Sequence, residues 1–382
     1  MSELIPFRVE VPEAALTDLR GRLARTRWPE AETVDDWSQG VPLAYLRELC
    51  GYWADGYDWR VVESRLNALP QFHTELDGLT VHFVHVRSPH PGARPLVLTN
   101  GWPGSIVEYL DVIGPLTDPP DPADAFHVVC PTLPGFGFSG KPTRTGWGIE
   151  RIARAWLELM ARLGYDRFGA QGSDWGTSVS TSMAQQAPDR VAGIHLSPPL
   201  AAPDPATFDD LTDAEREALA ALANAKEWED GYSVEQSTKP QTIGYSLVDS
   251  PVGLAAWVVE KFQGWTDCAG HPENALTRDQ ILDSVMLYWL PGTGASSARL
   301  YWESIRAVHA LFTEGTGDTV TVPTGCSLFP RENPRPSRRW AARRFPNILH
   351  WNDLDRGGHF AAFEQPDLFV DEVRAFFRLV QV

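Results

Sequence analysis

Gly172-Ser173-Asp174-Trp175-Gly176 sets a carboxylate at the centre of a turn bracketed by small residues. A short apolar run, Phe168 to Ala170, precedes it, and a helix of small and polar residues is expected from Thr177 to about Gln186. Strand, sharp turn and helix in that order make a nucleophile elbow, which lifts one side chain above the end of a strand. The lifted group is Asp174, because Ser173 falls one place too early. A carboxylate that attacks carbon forms an alkyl ester, chemistry suited to opening an epoxide or displacing a halide. Attack on an acyl carbon would give an anhydride, which argues against an ordinary esterase. A solvated turn or a helix-capping aspartate would have the same local spacing.

Hydrolysing such an ester requires a base for water and a partner that fixes the base's tautomer. In α/β-hydrolase elbows the chain order is nucleophile, acid, histidine. The histidines after Asp174 are His195, His271, His309, His350 and His359. Of these, His359 lies in a glycine-rich turn, Arg356-Gly357-Gly358-His359-Phe360, between an expected last strand and a last helix. His195 and His350 fall inside apolar strand runs and read as structural. Glu332, just beyond Phe329-Pro330, stands where an orienting acid belongs, with Asp353 and Asp355 as rivals on spacing. Charge that develops on the ester carbonyl oxygen needs preorganised donors. The amide of Trp175 is one; Asn100-Gly101-Trp102-Pro103-Gly104, after a buried strand, offers the amide of Trp102 as the second.

The surrounding elements explain how these groups could meet. Leu16, Leu19, Leu23 and Trp28 give an amphipathic helix within Pro12 to Trp28, and further helices are expected over Val41–Tyr57 and Trp59–Leu69. Gln71–Leu76 and Thr80–Val86 alternate about Asp77-Gly78, a hairpin signal. Pro95–Leu98, Phe126–Cys130 and Val191–Leu196 read as strands, Leu133–Gly140 as a loop and Ile149–Leu163 as a helix. That alternation implies a parallel, doubly wound α/β sheet. It breaks at Pro199 and resumes near Val320, with strands at Val320–Leu328 and Ile348–Trp351 and a closing helix at Pro366–Val380. Between them lies a helical insertion with capping-box spacing at Thr212/Glu215 and Thr277/Gln280. It would cover the carboxyl ends of the strands, where open α/β sheets bind ligands.

Of the 382 residues 43% are hydrophobic, including 15 Trp, 17 Phe and 9 Tyr, enough for a large core and an aromatic-lined cavity. A formal charge of −17, dispersed along the chain, disfavours nucleic acid and anionic membranes as partners. The four cysteines, Cys50, Cys130, Cys268 and Cys326, have no metal-ligand spacing, so no metal and no cofactor are expected. The opening residues form no signal peptide and no apolar run reaches membrane-spanning length, which leads to the expectation of a soluble, cytoplasmic protein.

The assembled segments resemble those of microsomal-type epoxide hydrolases. Asn100-Gly101-Trp102-Pro103-Gly104-Ser105, the Asp174 elbow and the His359 turn all resemble that family's signatures. So do Thr238-Lys239-Pro240-Gln241-Thr242 and the stretch Asp249 to Trp257, as well as Ile5-Pro6-Phe7 and Arg27-Trp28-Pro29 near the N-terminus. The resemblance spans nearly the whole chain and implies an α/β-hydrolase fold, mostly parallel in its sheet, with a helical lid and an N-terminal helical extension. Its divisions would be an extension over 1–90, core over 91–200 and 319–382, and a lid over 201–318. It implies that Asp174 attacks an epoxide carbon while two lid tyrosines, Tyr232 and Tyr301, protonate the ring oxygen. His359, held by Glu332, then activates water, and the rings of Trp102, Trp175, Tyr232 and Tyr301 contact an apolar, aryl-bearing substrate. Tyr245 and Tyr288 read as core-packed instead. A homodimer is also implied.

Three departures stand out. Asn100 occupies a position that is usually histidine, Ser173 one where glycine is common, and the membrane anchor of mammalian members has no counterpart. Asn100 should alter loop hydrogen bonding without abolishing activity. An Arg-, Ala-, Trp- and Pro-rich, Lys-poor chain fits natural-product (antibiotic) biosynthesis, including the family's enediyne branch. Two other readings share the Asp/His/acid set: a haloalkane dehalogenase, which has no need of two lid phenols, and a catalytically silent binding protein.

Overall fold

The structure, a computed structural model, describes residues 3–313 and 318–381. Its nine strands are β1 Ile5–Phe7, β2 Gln71–Leu76, β3 Leu79–Val86, β4 Arg94–Thr99, β5 Phe126–Pro131, β6 Phe168–Ser173, β7 Val191–Ser197, β8 Thr324–Leu328 and β9 Ile348–Asp353. They form one sheet in the order β1-β2-β3-β5-β4-β6-β7-β8-β9. The β1, β2, β3 and β5 contacts are antiparallel, and every pairing from β5 through β4 to β9 is parallel. Every residue of β6, β7 and β8 is buried, as expected of parallel strands covered by helices on both faces. The β2–β3 hairpin turns on Asp77 and Gly78, at φ 47° and 78°, the paired positive values that a two-residue turn of this hand requires.

The N-terminal helices are Glu13–Ala24, Leu43–Asp55 and Trp59–Asn67. Each buries one apolar stripe, with Leu16, Leu19 and Leu23 on the first and Leu49 and Trp53 on the second. Their polar faces reach the insertion: Arg22 donates to the Asp249 carbonyl at 2.7 Å, and the Tyr57 hydroxyl to Asp283 Oδ1 at 2.6 Å. The extension therefore braces the lid as well as the sheet.

Between β7 and β8 the described chain is helical, with its main helices at Asp213–Asn224, Gly231–Thr238, Pro240–Asp249, Pro251–Trp265, Arg278–Trp289 and Gly294–Thr313. Both capping boxes form, at Thr212/Glu215 and Thr277/Gln280. Residues 314–317, the end of the expected lid, lie outside the described residues. Two expectations need correction. The strand expected from Val320 begins at Thr324, because the Val320 amide bonds the Arg344 carbonyl and not a neighbouring strand. Tyr245 is 70% exposed on its lid helix, since apolar periodicity marks a face but not whether anything covers it. Tyr288 is buried as expected, and its hydroxyl donates to the Gly104 carbonyl at 2.7 Å.

All four cysteines are buried and unpaired. Burial pushes the Cys50 thiol up to about 12 and raises Cys130 and Cys326 well above the usual range. Among the described residues no single helix is long and apolar enough to cross a membrane, and no cluster of His, Cys, Asp or Glu could hold a metal ion.

Candidate active site

Asp174 sits between the end of β6 and the helix Trp175–Gln186, at φ 52° and ψ −127°. Holding a non-glycine residue there costs on the order of 1–3 kcal/mol, so the surroundings must enforce it. The flanking glycines make it possible. A Cβ on Gly172 would lie 2.2 Å from the Gly176 carbonyl oxygen, and one on Gly176 would lie 1.8 Å from that of Thr99. Backbone meets backbone at both places, which is why only glycine fits.

Facing the elbow is the loop after β4. The Trp102 amide donates to Asp174 Oδ1 at 2.8 Å. A Cβ on Gly101 would come within 1.8 Å of the same oxygen and 2.6 Å of the Trp175 nitrogen. The two expected oxyanion donors, Trp102 and Trp175, thus converge on one side of the carboxylate. On its other side, His359 Nε2 lies 3.3 Å from Asp174 Oδ2, while Nδ1 is 3.0 Å from Glu332 Oε2.

The His359 turn is locked by packing. Gly357 has φ 94°, a Cβ on Gly358 would meet the Trp265 carbonyl oxygen at 2.4 Å, and the His359 amide donates to that carbonyl at 2.9 Å. Burial also separates the candidate acids: the Glu332 side chain is 1% exposed, whereas those of Asp353 and Asp355 are 61% and 88% exposed. His195 and His350 are engaged elsewhere, with Ser327 and Glu372 respectively. Burial works against charge on His359, but Glu332 and Asp174 outweigh it and hold the imidazole well above its usual range.

Tyr232 and Tyr301 approach from two lid helices. The Trp102 and Tyr232 rings stack at 5.1 Å, and Tyr301 meets Trp175 edge-on at 4.8 Å and Tyr232 at 5.7 Å. Burial, then the Asp174 charge, pushes the Tyr232 phenol up; burial, Tyr232 and Asp174 do the same for Tyr301. Both are therefore neutral donors at pH 7. The seven residues singled out by the sequence, Asp174, His359, Glu332, Tyr232, Tyr301, Trp102 and Trp175, are thus joined by a chain of contacts that runs from Glu332 through His359, Asp174 and Trp102 to the two tyrosines and Trp175.

Sequence reasoning missed three neighbours. Trp265, at the end of a lid helix, has its ring 4.9 Å from that of His359 and 5.2 Å from that of Tyr232. Lys261, almost wholly buried, holds its ammonium 4.4 Å above the Tyr232 ring. Nothing local distinguishes either residue from ordinary lid packing.

Glu108 did leave a signal, since Ser105 and Glu108 have capping-box spacing, and the glutamate half of that box forms. Its Oε1 accepts from the Ser105 amide at 2.9 Å and from Asn100 Nδ2 at 3.1 Å, and Asn100 also donates to the Ser105 carbonyl. Asn100 is thus a permanent donor that ties the loop to a buried carboxyl.

Burial pushes the Glu108 carboxyl up to about 7, against the bonds from Asn100 and Ser105. A raised folded value favours the protonated form. Its contribution to stability is complete below the unfolded value near 4.5 and disappears as pH rises through about 7. Glu108→Gln keeps the shape and removes the titration. The variant should match the parent at pH 4 and exceed it by on the order of 2–3 kcal/mol at pH 8.5. Urea unfolding of both proteins at the two pH values checks this.

Comparison with known proteins identifies the family. The family pattern described as the epoxide hydrolase N terminus matches residues 4–109, and that of the alpha/beta hydrolase fold matches residues 94–242. The chain is 52% identical to a Stigmatella aurantiaca protein provisionally named an epoxide hydrolase, over 98% of this chain and 85% of that one. It is 35% identical to epoxide hydrolase 1 of Sus scrofa, over 98% and 89% of the two chains. The structure of Aspergillus niger epoxide hydrolase matches with a TM-score of 0.89 at 32% identity, covering 99% of this chain and 97% of the other. On these grounds the chain belongs to the epoxide hydrolase family, on the α/β-hydrolase fold.

Proposed function

We propose that this enzyme converts an apolar, aryl-bearing epoxide to a vicinal diol through an ester on Asp174. Oδ1 is held by the Trp102 amide, which leaves Oδ2 to attack a carbon of the epoxide ring. As that carbon–oxygen bond forms, the ring carbon–oxygen bond breaks, and the leaving alkoxide takes a proton from the Tyr232/Tyr301 pair. A phenol suits the step because it stays neutral at pH 7 yet donates readily to an alkoxide.

Esterification removes the Asp174 charge. Two of the influences that hold the His359 imidazole up, its bond to Asp174 and that residue's field, then vanish. With these gone the imidazolium yields its proton to solvent, and the base is free at the step that needs it. Neutral His359, oriented by Glu332, takes a proton from water, and hydroxide adds to the ester carbonyl. The oxyanion rests on the Trp102 and Trp175 amides. Collapse frees the diol, restores the carboxylate and returns the proton to the phenol pair through solvent.

The observation that carries this reading is one carboxylate with an imidazole 3.3 Å away and two lid tyrosines whose rings pack on Trp102 and Trp175, the residues that supply its amides. The rings of Trp102, Trp175 and Trp265 favour an aryl group on the substrate. The phenols decide between epoxide opening and halide displacement. Tyr232→Phe/Tyr301→Phe should cut styrene oxide turnover about 10²–10⁴-fold, the usual worth of general acid catalysis. Steady-state kinetics of the double variant checks it: unchanged epoxide opening, or rapid dehalogenation of 1-chlorobutane by the parent, would favour the dehalogenase.

A further inference from the structure

The lid segment Thr238-Lys239-Pro240-Gln241-Thr242 has no part in the chemistry above, yet it lines an open cleft of about 750 Å³. That volume lies within the range of small-molecule sites. On the helix Gly294–Thr313 the cleft is lined by Ser296, Arg299, Leu300 and Glu303, which share one face. Tyr301 belongs to a different face and meets Trp175 instead. The cleft and the space around Asp174 have no lining residue in common.

Charge in the cleft runs against that of the protein. Lys141, Arg144, Lys239 and Arg299 all border it, on a chain with a net charge of −17. None of the four forms an ion pair with a carboxylate among the described residues. The single carboxylate in the lining, Glu303, is spent on the Gly146 amide at 2.9 and 3.0 Å.

Two of the cations are held in place. Lys141 Nζ donates to the Gly292 carbonyl at 2.8 Å, and Arg299 donates to Gln241 Oε1 at 3.0 Å. Burial, followed by the Arg299 charge, pulls the Lys141 ammonium below its usual range, so like charges face each other without relief. Apolar side chains line the cleft beside these cations: Trp147 and Leu300 are buried, and Trp302 is 43% exposed.

We infer that this cleft is a second binding site, for an amphipathic organic anion whose acidic head meets Lys141, Lys239 and Arg299 and whose hydrocarbon body lies on Trp302. The site does not depend on the reading of the Asp174 cavity, because its test is a binding measurement. Decanoate is the probe, titrated calorimetrically into the full-length protein. It should bind one equivalent and weaken as salt is added. Octanol lacks the charge and inorganic phosphate lacks the tail, so each should bind at least tenfold more weakly.

Lys239→Gln/Arg299→Gln should raise the decanoate Kd at least tenfold while leaving styrene oxide kcat and the thermal melting temperature unchanged. Decanoate should not compete with styrene oxide. Competitive inhibition, an unaltered Kd in the double variant, or equal affinity for phosphate would each overturn the assignment. If the double variant proves unstable, Lys239→Gln alone, on an exposed residue, provides the same comparison.

Discussion

Replacing Asp174 with alanine should lower diol formation on the order of 10⁴-fold or more, the scale seen when a covalent nucleophile is removed. The geometry explains the size of the effect. Asp174 is the group shared by the Trp102 amide and the His359 imidazole, and a neighbouring carboxylate cannot replace it, because Glu332 lies behind the histidine. Isotope transfer gives a sharper version of the same prediction. In a single turnover in heavy-oxygen water, label should enter the Asp174 carboxylate, and the first diol should carry an oxygen that came from the protein. Mass spectrometry of the peptide containing Asp174 reads this directly. Label found in the diol alone would mean direct attack by water, and the covalent mechanism would fall.

His359→Gln should separate the two halves of the reaction. Ring opening needs the carboxylate and the phenols, whereas ester hydrolysis needs the base. The variant should consume about one equivalent of epoxide and then stall, gaining the mass of one substrate molecule. Steady-state turnover should drop about 10²–10⁴-fold, the range for loss of a general base. Glutamine preserves much of the volume and can still donate toward Asp174, so the elbow should keep its shape. Intact-protein mass spectrometry after mixing with styrene oxide makes the measurement. A variant that turns over slowly without accumulating any adduct would show that His359 acts before the ester forms.

Much of this architecture could be read from the chain because the signals were backbone demands with short sequence signatures. Asp77-Gly78 needs two positive φ values, and the alternation on either side fixes the hairpin. Gly172 and Gly176 are forced by carbonyl contacts near 2 Å, so the elbow announces itself in five residues. Thr212/Glu215 and Thr277/Gln280 mark helix starts that do form.

What stayed hidden depends on contacts between distant segments. Lys261 and Trp265 reach the site only because one lid helix lies over the His359 turn. Tyr245 and Tyr288 belong to similar helical patterns, yet one faces solvent and the other bonds Gly104. Glu332 could be told from Asp353 and Asp355 only by burial, which spacing does not encode. Glu108 had a capping-box spacing, but that alone gives no indication that the carboxyl faces a cavity shared with Asp174 and His359.

The four enclosed cysteines acquire a meaning from the proposed chemistry. Strained ethers alkylate thiolates, so an enzyme that gathers them risks modifying itself. Here each sulfur is shut away from solvent, and those at Cys50, Cys130 and Cys326 are also kept protonated by their surroundings. The catalyst should therefore tolerate millimolar electrophile for many turnovers, with its own side chains poisoned far more slowly than free thiols in the same solution.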